Sequence, residues 1–163
     1  MAIKQENYGI VSWFLIVGST LVVGLAPGYL GLTRAGDWYD GLSKPALTPD
    51  PAVFPIVWPV LFLLMGSAAW RVHRAADASI KERREAIELY AVQLLVNVAW
   101  PVLFFHFQLV GVAAATVAVL VIMVIMTQGR FWKIRRSAGL LFLPYLLWTL
   151  FAAYLTLSIL IGG

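Results

Sequence analysis

The chain contains no cysteine, and only 12% of its 163 residues are Asp, Glu, Lys or Arg. The first absence excludes disulfides, thiolate metal sites and Cys-attached haem together. The second excludes an ordinary soluble domain, in which roughly 25% of residues are charged. Histidine is nearly missing too, with only His73 and His106 present. No HExxH or Glu-x-x-His pattern occurs, and no carboxylate interrupts the long apolar runs, so neither a metal centre nor a required cofactor is expected. Haem ligation by His106 alone is the one metal reading the residues leave open, although a lone His is rarely a ligand. No general acid or base is identifiable inside the bundle such runs would form, which argues against hydrolysis. With no inverted repeat and no intramembrane charge, energised transport is not expected either.

What is present is apolar: 61% of residues are hydrophobic. Charge-free stretches cover Gly9–Thr33, Pro51–Trp70, Leu89–Gly129 and Ser137–Gly163. A membrane-spanning helix needs about 20 apolar residues. The third stretch holds 41 residues; as one helix it would be roughly 60 Å long, about twice a bilayer core. It must therefore turn, and His106, Gln108 and Gly111 mark the place. The reading is all-α: an integral membrane bundle of five transmembrane helices near 9–31, 52–73, 87–107, 110–131 and 139–161, in a single domain over 1–163. The first run is too long for the core of a signal peptide, and no small-residue cleavage pattern follows it. Five spans put Lys4 and the loops near 71–84 and 130–136 on one side, with ten of the twelve basic residues. The positive-inside rule then sets the N-terminus in the cytoplasm and the C-terminus outside, with a bacterial cell membrane as the expected location. The net charge of +4 is thus a topology signal, and nucleic acid is not an expected partner.

Inside the third stretch lies Gln93-Leu-Leu-Val-Asn97-Val-Ala-Trp100-Pro101. Its spacing puts Gln93, Asn97, Trp100 and Phe104 on one helical face. Amides at membrane depth are costly unless partnered, so this face should look into the bundle or a cavity. Pro59, Pro101 and Pro144 predict kinks that open space between helices. The loop at 34–50 is rich in proline and aromatics and should pack as a lid. The loop at 74–88 reads as a solvated helical extension with Lys81 and Glu85 paired. Gly24 and Gly28 form a small-xxx-small pair, a common packing signal. Of the seven Trp, Trp70 and Trp132 suit the interfacial belt, whereas Trp58, Trp100 and Trp148 sit within spans. The residues alone leave a ligand pocket and ordinary aromatic packing both open.

Four blocks in order resemble a known family. They are Trp38-Tyr39-Asp40-Gly41-Leu42-Ser43-Lys44-Pro45, then Phe54-Pro55-Ile56-Val57-Trp58, then Gln93 to Phe105, then Pro144-Tyr145-Leu146-Leu147-Trp148. Together they resemble the tryptophan-rich sensory protein/translocator protein family (TspO/MBR), once called the peripheral benzodiazepine receptor. The resemblance covers about residues 8–160. It implies a five-helix bundle, usually dimeric, with a pocket opening toward the first loop. Members bind porphyrins, and a light-dependent porphyrin breakdown has been attributed to some bacterial ones. Carried onto this chain, Trp58 and Trp148 match the pocket indoles. Asn97, Trp100 and Tyr145 match pocket-lining positions, and Trp38 with Pro45 match the lid. Two departures bear on ligand choice. Lys44-Pro45 is followed by Ala46-Leu47 rather than aromatics, and no basic residue follows Tyr154, so the sterol-recognition pattern is missing there.

The expected function is a membrane sensor or regulator binding a tetrapyrrole in an aromatic chamber of Trp58, Trp100, Phe104 and Trp148. Porphyrin and membrane lipid are the expected partners, with a homodimer implied by the resemblance, and Lys44 or Arg34 is placed to meet propionates. The alternatives are a light-dependent porphyrin-degrading enzyme using Trp58 and Trp148, and passive passage of porphyrin or lipid.

Overall fold

The computed structural model describes residues 2–34 and 36–162, with side chains from residue 9 onward. Among the described residues six α-helices follow one another: α1 (Ala2–Tyr29), α2 (Gly36–Asp40), α3 (Phe54–His73), α4 (Ile80–Pro101), α5 (Val110–Ile134) and α6 (Arg136–Gly162). No strand occurs among the described residues. All but α2 are long and apolar enough to cross a membrane, so the five expected spans are borne out. They close into a ring in the order α1, α3, α6, α5, α4, with α1 against α4 as the loosest seam.

The turn expected near His106 is present and has an unusual form. Pro101 ends the α-helical part of the third span, and Val102–His106 continues as a π-helical turn. Proline has no N–H to offer the preceding turn, and a π turn often accommodates such a break near functional sites. Gln108 then takes a left-handed conformation at φ 56°, which reverses the chain into α5. At the other end of this span Ser79 caps α4 reciprocally with Glu82, a capping box that starts the helix in the charged loop. Lys81 and Glu85 pair at 4.0 Å, as the spacing suggested.

Close approach of helices rests on small residues. A Cβ at Gly66 would fall 2.8 Å from Val17 Cα, and one at Gly24 would fall 2.5 Å from the Phe62 ring. α1 and α3 therefore touch backbone to backbone at Gly66 and backbone to ring at Gly24, as small-residue seams allow. The polar groups inside the spans are mostly satisfied locally: Thr20, Thr127, Thr149 and Thr156 each donate to the carbonyl four residues back at 2.8–2.9 Å. This is the pattern expected where no water is present to compete. The bundle packs most tightly toward its basic end, where Met65, Val72, Ala86, Phe131 and Phe142 are all fully buried. Toward the loop end a second cluster gathers Tyr39, Trp100, Phe104, Val117 and Ile159. The ring opens between the two.

Candidate functional site

A cavity of about 520 Å³ lies beneath the first loop, within the usual range for small-molecule sites. α1 supplies one wall with Gly24, Leu25, Pro27, Gly28 and Tyr29, and Thr33 follows just beyond the helix. α3 supplies Phe54, Pro55, Trp58, Pro59 and Phe62, with Pro51 above them. The third span supplies Asn97, Trp100, Pro101 and Phe105, and Tyr39 of α2 closes the end. The Pro27 and Pro59 positions, together with Gly24 and Gly28, keep bulk away from the middle. No charged side chain belongs to the wall among the described residues.

The polar content of the wall is small and specific. Asn97 is 3% exposed, and its Oδ1 is buried with no hydrogen-bond partner. The Trp100 indole N–H is in the same condition. Buried polar atoms are usually paired, so two orphans on one cavity wall need a reason. One turn deeper, Tyr145 donates to Gln93 Oε1 at 2.9 Å, joining α6 to α4 across the lumen. Gln93 Nε2 and the Trp148 N–H are also unpartnered. The wall holds the amide acceptor, an indole donor, the hydroxyl-bearing residues Tyr29, Thr33 and Tyr39 and large π faces, with no carboxylate, histidine or lysine among the described residues. It can bind and orient a flat, mostly apolar molecule by stacking and one or two hydrogen bonds.

The residues singled out in the sequence fall into five positions. Trp58, Asn97 and Trp100 stand in the cavity wall. Trp148 stands one ring behind it, edge-on to Trp58 at 6.5 Å and 88° and to Phe54 at 6.0 Å. Tyr145 is fully buried in the core as the partner of Gln93. Trp38 and Phe104 meet edge to face at 5.6 Å outside the wall and buttress Tyr39. Pro45 lies in the loop beyond α2, outside the wall. Phe104 misses the wall because the π turn inserts an extra residue per turn; Phe105 takes that place and meets Tyr39 at 5.5 Å.

Sequence reasoning missed Tyr39, Phe62 and the whole contribution of α1. Phe62 could have been found four residues after Trp58, on whose ring it stacks at 5.4 Å. In α1 the signal was Pro27 between Gly24 and Gly28, a break in an otherwise uniform span. The loop is fastened by Lys44, whose Nζ donates to the Tyr39 carbonyl at 3.1 Å, approaches Asp40 at 3.5 Å and sits 4.5 Å over the Tyr39 ring. Burial and the nearby Asp40 charge push the Tyr39 phenol above its usual range, so it stays neutral at ordinary pH. His73 and His106 are exposed at span ends, and no group of three or more His, Cys, Asp or Glu able to hold a metal occurs among the described residues.

Fold and cavity together define a multi-pass membrane protein with an uncharged, aromatic internal chamber. The model of the TspO/MBR family matches residues 16–161. The chain is 33% identical to the tryptophan-rich protein TspO of Chlorobaculum tepidum over 94% of its own length and 97% of that protein's. It is 36% identical to the tryptophan-rich sensory protein of Cereibacter sphaeroides, covering 85% and 84% of the two chains. The translocator protein of Sus scrofa is 32% identical over 88% and 86%. The chain belongs to the TspO/MBR family.

Proposed function

We propose that this protein is a membrane tetrapyrrole sensor whose chamber takes a porphyrin. The observation that carries the reading is the unpartnered Asn97 Oδ1 and Trp100 N–H on the wall of an otherwise apolar, aromatic cavity. A porphyrin offers a broad apolar face for Trp58 and Phe62, pyrrole N–H groups for an amide oxygen, and carboxylates at one edge. Those carboxylates belong outside the uncharged chamber, because burying an unpaired charge is costly. Lys44, at the loop end, can exchange Asp40 for a propionate there. With the basic loops cytoplasmic, the loop end faces outward. A homodimer belongs to the same proposal, carried by the family resemblance.

The test is the absorbance shift of protoporphyrin IX on titration with purified protein and with a Trp58→Phe, Trp148→Phe double variant. Weaker binding by the variant supports the reading, and an unchanged titration refutes it. One contact favours a second reading. Trp148 lies edge-on behind Trp58, so two indoles stand in series next to the chamber, an arrangement suited to electron donation to a light-excited porphyrin with dioxygen as oxidant. Light-dependent product formation that is lost in Trp148→Phe while dark binding persists would establish that activity.

A further inference from the structure

Positive charge at the basic end of the bundle is not evenly answered. The acids there stand at the start of α4 and are engaged. Glu85 pairs with Lys81 at 4.0 Å and with Arg130 at 3.4 Å, and Glu88 pairs with Arg84 at 2.7 Å. The Glu82 carboxylate accepts from the Ser79 backbone N–H and hydroxyl. Arg71, Lys133, Arg135 and Arg136 form no ion pair among the described residues. They meet where three helix ends come together: Arg71 and Lys133 in the last turns of α3 and α5, Arg136 at the start of α6, and Arg135 between the last two. These helices are neighbours in the ring, α3 against α6 and α6 against α5.

Two contacts give this corner a form. Arg71 Nη1 donates to Ser137 Oγ at 3.2 Å, which holds the guanidinium across the α3/α6 seam. The serine accepts there and keeps its own hydrogen to donate. Trp132 packs on Gly139, where a Cβ would fall 2.5 Å from the indole, and is 41% exposed. An exposed indole at the end of a span marks the headgroup level. Lys133, Arg135 and Arg136 are exposed beside it. One residue alone separates α5 from α6, so the charges stay at that level instead of riding on a loop into solvent. Guanidinium groups match the paired oxygens of a phosphate. A zwitterionic headgroup brings a cation of its own, whereas a net-negative one neutralises the cluster.

We infer that Arg71, Lys133, Arg135, Arg136 and Ser137 form a binding site for the phosphate of one anionic phospholipid headgroup at the α3/α5/α6 corner. The inference does not depend on what occupies the aromatic cavity.

The test is native mass spectrometry of the whole detergent-purified protein titrated with phosphatidylglycerol or phosphatidylcholine. Each Lys or Arg near a membrane surface contributes about fivefold, so the wild type should prefer phosphatidylglycerol by about tenfold or more, at one lipid per chain. Arg71→Gln with Arg136→Gln should lose that preference while phosphatidylcholine binding holds. So should Lys133→Gln with Arg135→Gln, both at exposed positions. The control, Lys81→Gln with Arg84→Gln, removes the same charge at the same end from residues already paired with Glu85 and Glu88, and should bind like the wild type. No preference in the wild type, a preference kept by either corner variant, or an equal loss in the control overturns the proposal. Displacement of phosphatidylglycerol by millimolar inorganic phosphate would assign the corner to a free anion, and tighter binding of polyglutamate to an acidic protein segment; either result also overturns it.

Discussion

Asn97→Leu should make the protein more stable and a worse receptor. The Asn97 side-chain oxygen is buried without a partner on the cavity wall. An unsatisfied buried polar atom costs about 1–3 kcal/mol, and replacement by an apolar group of similar size removes that cost. Leucine also suits a site bordered by Trp58, Phe62 and Trp100. Thermal unfolding in detergent should therefore shift upward by an amount matching roughly 1–3 kcal/mol. Binding should move the other way. The hydrogen bond a ligand N–H would make to the amide is worth about 0.5–1.5 kcal/mol net, or roughly 2- to 12-fold in Kd. The assay pairs unfolding with a protoporphyrin titration on the same preparations. Opposite signs support a wall atom reserved for ligand. A destabilised Asn97→Leu with unchanged affinity would refute the reasoning, because the amide would then be holding the bundle together.

Other consequences follow from particular contacts. Tyr145→Phe leaves Gln93 Oε1 buried without its 2.9 Å donor and should lower stability by about 1–2 kcal/mol; Gln93→Leu combined with Tyr145→Phe should recover part of this in a double-mutant cycle. Gly66→Leu cannot be accommodated by a side-chain shift, since the obstacle is the Val17 backbone at 2.8 Å; α1 must move away from α3, costing about 1–3 kcal/mol, while Gly18→Leu, with open space around it, should be tolerated. The Ser79 hydroxyl and backbone amide hold the Glu82 carboxyl below its ordinary 4.5. That stabilisation is present above pH 4.5 and is lost as pH falls below it, so the midpoint difference between wild type and Glu82→Gln should shrink on acidification through that window.

The architecture was legible because lipid imposes a coarse rule. Uninterrupted runs of 20 or more apolar residues are spans, and the doubled run Leu89–Gly129 had to break where His106 and Gln108 stand. The site was legible only in part. Face periodicity placed Gln93, Asn97 and Trp100 together, since an α-helix preserves its register. It failed at Phe104, because nothing in Val102-Leu-Phe-Phe-His106 announces a π turn, and one extra residue exchanges Phe104 for Phe105. Depth was also invisible. Trp58 and Trp148 look alike in sequence, but one forms the wall and the other stands behind it. α1 was the largest omission: Gly24, Pro27 and Gly28 resemble ordinary packing residues until Gly24 is seen against the Phe62 ring and all three are seen in the cavity wall.

The central claim is that the chamber beneath the first loop is a tetrapyrrole site. It is tested most directly by titrating the detergent-purified wild type with protoporphyrin IX and following indole fluorescence, first in the dark and then under light. The account predicts saturable dark quenching at one porphyrin per chain, weakened in Asn97→Leu. Quenching that grows without saturation, or that is identical in the two proteins, would contradict it.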